Sequence, residues 1–367
     1  MSPRPKPRDT LARIVPYTPG RSIADVKAAL GLEAVIKLAS NENPFGSPIS
    51  HDELIECLES IALYPDLSGA PLIGALAAEL SVAPHQIIVG NGSDEILTMI
   101  GLAYLNPGDR VLTASGTFSE YGFVANLMDA SVDAIPYSDF TFDLGRMADQ
   151  ITETTKLIFI ANPNNPTGTI VSTRSLTEFM QRVPATTLVV IDEAYAEFVD
   201  SPHYPRPITW LSDYPNLIVT RTFSKVYGLA GFRIGYAVST AEVIATLYKV
   251  RQPFNVNSVA LAAASLALTK PEFIHHTIEN NQTQKTRLTD AITEMGFSVI
   301  PSHANFICVH IGVHAKQCVD ELMARGIIIR HLASFGMPEH VRITIGTPDQ
   351  ITTLITALTL LVEGKLI

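Results

Sequence analysis

One lysine lies between two apolar segments in a setting that suits chemistry. In RTFSKVYGLAGFRIGY, residues 221–236, Lys225 is flanked by Thr222 and Ser224, with Arg233 eight positions on. An amine that must act as a nucleophile has to lose its proton, which partial desolvation or a neighbouring cation favours. Two hydroxyls and a guanidinium fork are suited to a phosphate dianion. The plainer alternative is a solvated surface lysine beside a structural arginine.

Three other segments place polar side chains where a strand should end. Asp192 closes the apolar run TTLVVI and opens DEAYAEF. A carboxylate there must be paired or solvated, so a cationic partner is implied, although an aspartate that merely caps a strand end is also common. Tyr195, three residues on, is near enough to address the same ligand. ANPNNPTG, residues 161–168, carries two prolines that forbid helix or central strand and force a rigid turn. The amide of Asn165 can donate to a phenolate oxygen, or the segment is simply a stiff loop. GNGSDE, residues 90–95, joins a strand to a helix. Gly92 permits a tight turn, Ser93 is expected to cap the helix, and the backbone amides up to Asp94 could hold a phosphate, with an ordinary capped turn as the alternative. The third glycine of a dinucleotide fingerprint falls on Glu95, and the Gly-Lys-Ser/Thr of a P-loop is missing.

The elements that must position these residues follow from the apolar periodicity. From about Gln86 the chain alternates: QIIVG, a helix from Ser93, RVLTAS, a helix from Phe118, SVDAIPY, a helix near Leu144, KLIFIAN, a helix near Leu176, then TTLVVID. Such alternation predicts a mainly parallel sheet covered on both faces. NLIVTRTF and RIGYAVS bracket Lys225, and helices follow from Ala241 and over Val256 to Leu268. Beyond Pro271 come a long polar-faced helix to about Met295, FSVIPSHANFICVHI, a helix through Val319 and Leu322, IIIRHL, HVRITIG and a closing helix from Asp349. The expected organisation is an arm over 1–36 with a short helix through Ile23, Val26 and Leu30, a large domain over 37–268, and a smaller α+β domain over 269–367.

Composition narrows the function classes. The 367 residues are 47% apolar and 17% charged, with a formal net charge of −10, so neither disorder nor a general attraction to nucleic acid or anionic membrane is expected. Cys57, Cys308 and Cys318 show no CxxC spacing, and the histidines show no metal-ligand spacing; a disulfide framework and a metal site are not expected. The start MSPRPKPRDT has no apolar h-region, and the longest apolar helical stretch falls short of the roughly 20 residues that span a bilayer. A cytoplasmic protein that binds neither membrane nor nucleic acid is the expectation.

Taken together, these segments resemble the fold type I family of pyridoxal-phosphate enzymes, and more closely the histidinol-phosphate aminotransferases. NENPFG, LYPD, GNGSDE, TFSEY, NPNNPTG, DEAYAEF, the lysine segment, QPFNVN, ANF and VRITIGT occur in the family's order from Asn41 to Thr347. The resemblance implies a seven-stranded, mainly parallel sheet in the large domain, a small α+β domain, and pyridoxal 5'-phosphate as cofactor. It makes Lys225 the Schiff-base lysine, Asp192 the partner of the pyridine nitrogen, and Tyr195 and Asn165 the partners of the phenolate. Gly92, Ser93, Asp94, Thr222, Ser224 and Arg233 would hold the phosphate. Phe118 is the expected stacking ring, with Tyr121 a second candidate. Tyr64 resembles a residue donated to the partner subunit's cofactor, implying a homodimer with shared active sites. For the substrate, the resemblance points to Arg342 and Arg330, with Tyr17 and Asn305 completing the pocket. The implied reaction is transamination of L-histidinol phosphate with 2-oxoglutarate. His331 and the loop ASFGMPEH resemble a branch that also accepts aromatic amino acids, and a threonine-phosphate decarboxylase shares most of the motifs.

Overall fold

In the computed structural model, residues 5–16, 20–59 and 61–367 are described. Helix α1 (Ile23–Leu30) leads into strand β1 (Ile36–Lys37), then α2 (His51–Leu58) and α3 (Ala70–Leu80). The alternating region is β2 (Ile87–Gly90), α4 (Ser93–Tyr104), β3 (Arg110–Ala114), α5 (Ser119–Leu127), β4 (Ser131–Ile135), α6 (Leu144–Asp149), β5 (Thr155–Ala161), α7 (Thr173–Met180) and β6 (Leu188–Asp192). There follow β7 (Leu217–Thr222), β8 (Gly235–Val238), α8 (Ala241–Tyr248), α9 (Ser258–Leu268) and α10 (Pro271–Glu294). The remainder is β9 (Ser298–Ile300), β10 (Phe306–His310), α11 (Ala315–Ala324), β11 (Ile327–Ile328), β12 (Arg330–His331), β13 (His340–Thr344) and α12 (Pro348–Glu363).

The large sheet has seven strands in the order β2-β8-β7-β6-β5-β3-β4. Strand β8 runs antiparallel to both neighbours and every other adjacent pair is parallel. Every residue of β6 is buried, and in β5 all but Lys156 are, the pattern of strands covered on both faces. The carboxyl ends of β2, β3, β5, β6 and β7 therefore share one edge, where open α/β sheets bind ligands.

A second core gathers Leu288, Ile307, Val341, Leu354 and their neighbours around the antiparallel sheet β12-β13-β10-β9. Leu38 belongs to this core although it falls inside the span 37–268, because β1 pairs in parallel with β11 and carries the following residues alongside. The segment IIIRHL is not one strand. Ile327 and Ile328 pair with β1, whereas Arg330 and His331 pair with β13, so the chain changes sheets at the buried Ile329. The start of the arm packs on its own chain: Arg8 Nη2 donates to Leu127 O at 3.1 Å and Arg13 pairs with Asp129 at 3.2 Å. Among the described residues no helix is long and apolar enough to cross a membrane.

Candidate active site

A cavity of about 320 Å³ opens at the shared strand edge. From the sequence-predicted set it is lined by Ser93, Asp94, Phe118, Asn165, Asp192, Tyr195, Thr222, Ser224, Lys225, Arg233, Arg330 and Arg342. Residues as far apart in the chain as Ser93 and Arg342 thus meet, because the strand ends of the large sheet converge there and β13 closes over them. The turn after β5 has cis bonds at Asn162–Pro163 and Asn165–Pro166, and Asn162 Oδ1 accepts from Val171 N at 2.9 Å, which fixes the loop beneath the cavity.

Asp192 ends β6 at 4% exposure. Its oxygens accept from Tyr121 Oη at 2.8 Å and from Thr220 Oγ1 at 3.1 Å. Burial pushes its carboxyl up to about 6, although both hydroxyls act in the opposite direction. Among the described residues no cationic side chain pairs with it. Tyr121 is completely buried and stacks on Phe159 with centroids 4.7 Å apart. Its hydroxyl is committed to Asp192, while Phe118, edge-on to it at 5.6 Å, is only partly buried. Phe118 is therefore the freer of the two rings.

Lys225 is half-buried. Its Nζ donates to Ser40 O at 3.4 Å and lies 5.7 Å from the centre of the Tyr195 ring. No carboxylate forms an ion pair with it among the described residues, an arrangement that leaves the amine available to a carbonyl ligand.

At the far end of the cavity, α4 begins at Ser93 rather than being capped by it. The cap position is Gly92, at φ 81°, with no side-chain cap bond, so the first amides of a three-turn helix face the cavity. Asp94 does not offer its carboxylate to an anion. It accepts from Arg233 Nη2 at 3.1 Å, and only its backbone amide remains suited to that purpose. Thr222 and Ser224 are both buried, with Ser224 N donating to Thr222 Oγ1 at 3.1 Å. A Cβ on Gly92 would stand 2.5 Å from Arg233 Nη2, in a backbone conformation that L side chains avoid. Gly92→Ala is therefore expected to lower the unfolding free energy by about 1–2 kcal/mol. Gly122, inside α5 with no heavy atom within 4 Å of where a Cβ would stand, is the control. Gly122→Ala should raise stability by about 0.5–1 kcal/mol, and urea denaturation of the two variants checks the opposite signs.

Arg342, on β13, is 7% exposed. It donates through Nη1 to Asn165 Oδ1 and through Nη2 to Ala39 O at 2.8 Å, and its guanidinium lies 5.3 Å from the Phe306 ring centre. Arg330 lines the cavity beside Gly20, whose Cβ would be 3.7 Å from Nη1. Asn305 does not line it: the buried side chain donates to Asn41 O at 3.0 Å and holds the wall from behind. Tyr64 is also outside it, 82% exposed and stacked on Phe254 at 4.6 Å. Tyr17 lies outside the described residues.

The model of the family "Aminotransferase class I and II" matches residues 33–358. The chain belongs to the class I and II aminotransferases. It is 43% identical over 362 residues to a histidinol-phosphate aminotransferase of Brevibacillus brevis, covering 98% of this chain and all of that one. It is 44% identical over 356 residues to the enzyme of the same name from Moorella thermoacetica, covering 96% and 92%. A solved histidinol-phosphate aminotransferase from Sinorhizobium meliloti, in complex with pyridoxal-5'-phosphate, superposes with a TM-score of 0.90 at 28% identity, over 98% of both chains.

For an aminotransferase of this class, the site also contains residues to which sequence reasoning gave no role. Asn41 and Phe335 line the cavity, and Asn41 binds Tyr195. NENPFG was visible as a motif, but nothing in its spacing indicates that Asn41 reaches across 154 positions.

Proposed function

We propose that the chain uses pyridoxal 5'-phosphate to transaminate L-histidinol phosphate with 2-oxoglutarate, giving imidazole acetol phosphate and L-glutamate. The observation that carries the cofactor reading is the buried Asp192, held by two hydroxyls and paired with no cation among the described residues, in one cavity with Lys225 and an uncapped helix start. These residues fit the cofactor. Asp192 suits a protonated ring nitrogen, Arg233, Ser93, Thr222 and Ser224 suit the phosphate, and Asn165 and Tyr195 suit the phenolate. When bound, pyridoxal phosphate supplies an electron sink for the electron pair left as the donor's carbon loses its proton.

The chain's own side chains do the rest. Lys225 would hold the cofactor covalently and, once displaced by the donor amine, its Nζ would carry the proton from the donor's α-carbon to the cofactor's C4′ carbon, running the same transfer in reverse onto the oxo acid's carbon in the second half-reaction. Arg342, fixed through Ala39 and Asn165, and Arg330, at the cavity's outer end, orient the donor's anionic group. Near-full-length likeness to histidinol-phosphate aminotransferases supports the phosphorylated donor.

The assembly reading is a homodimer with shared sites: Tyr64, exposed beside Phe254, lies outside its own cavity and would address the partner's. The two largest hydrophobic cores support division into a large and a small domain, and a biosynthetic role fits the cytoplasm.

Steady-state comparison of histidinol phosphate with phenylalanine tests the substrate. Histidinol phosphate should have the higher kcat/KM, and Arg330→Ala should raise its KM about tenfold or more while changing phenylalanine little. A preference for phenylalanine in the unmodified protein would overturn the assignment.

A further inference from the structure

Residues 38–41 are clamped by β13 and by Asn305, just before β10. Thr344 N donates to Leu38 O at 2.9 Å, Arg342 Nη2 to Ala39 O at 2.8 Å, and Asn305 Nδ2 to Asn41 O at 3.0 Å. Asn41 itself is 1% exposed and sits at φ 57°, a left-handed conformation that asparagine tolerates better than most residues.

The hydrogen-bond directions around Asn41 are forced. Its backbone N–H donates to Thr344 Oγ1 at 3.0 Å, so that oxygen accepts and its own proton must go elsewhere. It goes to Asn41 Oδ1 at 3.1 Å. With Oδ1 engaged as an acceptor, the opposite end of the amide is the NH₂, and this donates to Tyr195 Oη at 2.9 Å. The reversed amide would leave the Thr344 proton facing a donor. Tyr195 therefore accepts from Asn41, and its single proton cannot be spent on that neighbour. Its ring is 5% exposed and wedged edge-on against Phe306 at 5.2 Å, so the hydroxyl can turn its proton only toward the cavity that it lines.

We infer that Asn41 is a positioning residue that fixes Tyr195 as a donor into the cavity, through a one-way relay running from Thr344 on β13 to Asn41 to Tyr195. Resting on the cofactor reading above, the relay keeps a proton donor aimed at an anionic oxygen of the ligand and makes the placement of β13 part of that setting. Asn41→Asp reverses the last link. A carboxylate at this position still accepts from Thr344 but also accepts from Tyr195, withdrawing the phenol's proton from the cavity.

The test is a pH titration of the visible absorbance of pyridoxal-phosphate-loaded protein, whose midpoint reports the proton shared between Lys225 and the cofactor. Four proteins are compared: unmodified, Tyr195→Phe, Asn41→Asp, and the double variant. Losing a donor to the anionic oxygen raises the midpoint, so Tyr195→Phe and Asn41→Asp should each shift it upward by about one pH unit. The double variant should shift no further than Tyr195→Phe alone, because both changes remove the same proton. A further upward shift in the double variant means that the new carboxylate acts by charge alone, and an unshifted Asn41→Asp means that Asn41 does not direct Tyr195; either result overturns the inference. Absence of any visible band in the unmodified protein instead overturns the cofactor reading, so the two failures are separable. Unfolding midpoints of all four proteins, measured without cofactor, identify a shift that arises from collapse of the fold.

Discussion

Lys225→Ala is expected to lower turnover by about ten-thousand-fold while leaving the protein able to take up pyridoxal phosphate. The two effects separate because different residues carry them. The residues proposed above to hold the phosphate, Arg233, Thr222, Ser224 and the first amides of α4, do not depend on the lysine. Lys225 makes one long bond, to Ser40 O at 3.4 Å, and Ser40 is itself half-buried in the cavity lining, where water can take the place of the lost donor. The folded state should therefore change little. Covalent attachment, by contrast, has no substitute: Lys225 is the lysine in the cavity lining. Borohydride reduction followed by peptide mass measurement should find the cofactor on the peptide containing Lys225 in the unmodified protein and on no peptide in the variant. Retention of the unmodified rate by Lys225→Ala, or an adduct on a different lysine, would falsify the assignment.

How much of this was legible depended on the range of the interaction concerned. Strands β5, β6 and β7 were readable because central strands covered on both faces carry continuous apolar runs, and KLIFIAN, TTLVVID and NLIVTRTF contain LIFIA, LVVI and LIV. The strand-end chemistry was readable for a related reason: a polar residue directly after such a run, as with Asp192, has few structural explanations. The register of the smaller sheets was not. IIIRHL reads as one strand, and only its pairing with β1 on one side and β13 on the other divides it. Ser93 looked like a cap because serine favours that position, but Gly92 takes it at a positive φ, and the amides stay open toward the cavity. Asn305 and Asn41 show the limit most clearly. Their side-chain partners lie 264 and 154 residues away, and no local pattern distinguishes an asparagine that braces a wall from one that touches a ligand.

Asp192→Asn carries the second large effect, and its sign depends on what occupies the cavity. Without cofactor, burial raises the folded-state pKa of Asp192 from 3.8 to about 6. Between those values the folded protein binds more protons at this site than the unfolded chain does. Stability therefore falls as pH rises through that window, and above about 6 the whole cost of an ionised buried carboxylate is present, of order 3 kcal/mol. Asparagine cannot ionise and is spared this cost. The variant should thus gain stability relative to the unmodified apoprotein as pH rises from about 4 to 7. A pH-independent offset is also expected, because the amide loses one acceptor for Tyr121 or Thr220, so the change with pH is the quantity to read in urea denaturation. A flat difference across that range would show that Asp192 is not the raised carboxyl. With pyridoxal phosphate present the ordering reverses: a cation brought against Asp192 turns the same ionised carboxylate from a cost into an attraction that asparagine cannot supply. Turnover should accordingly fall by about 100- to 1000-fold in Asp192→Asn, since the charge that stabilises the protonated ring nitrogen is lost although the shape of the cavity remains. On the proposed reading the same buried carboxylate would weaken the apoprotein and drive the loaded one, which is the behaviour expected of a residue retained for its ligand and not for the fold.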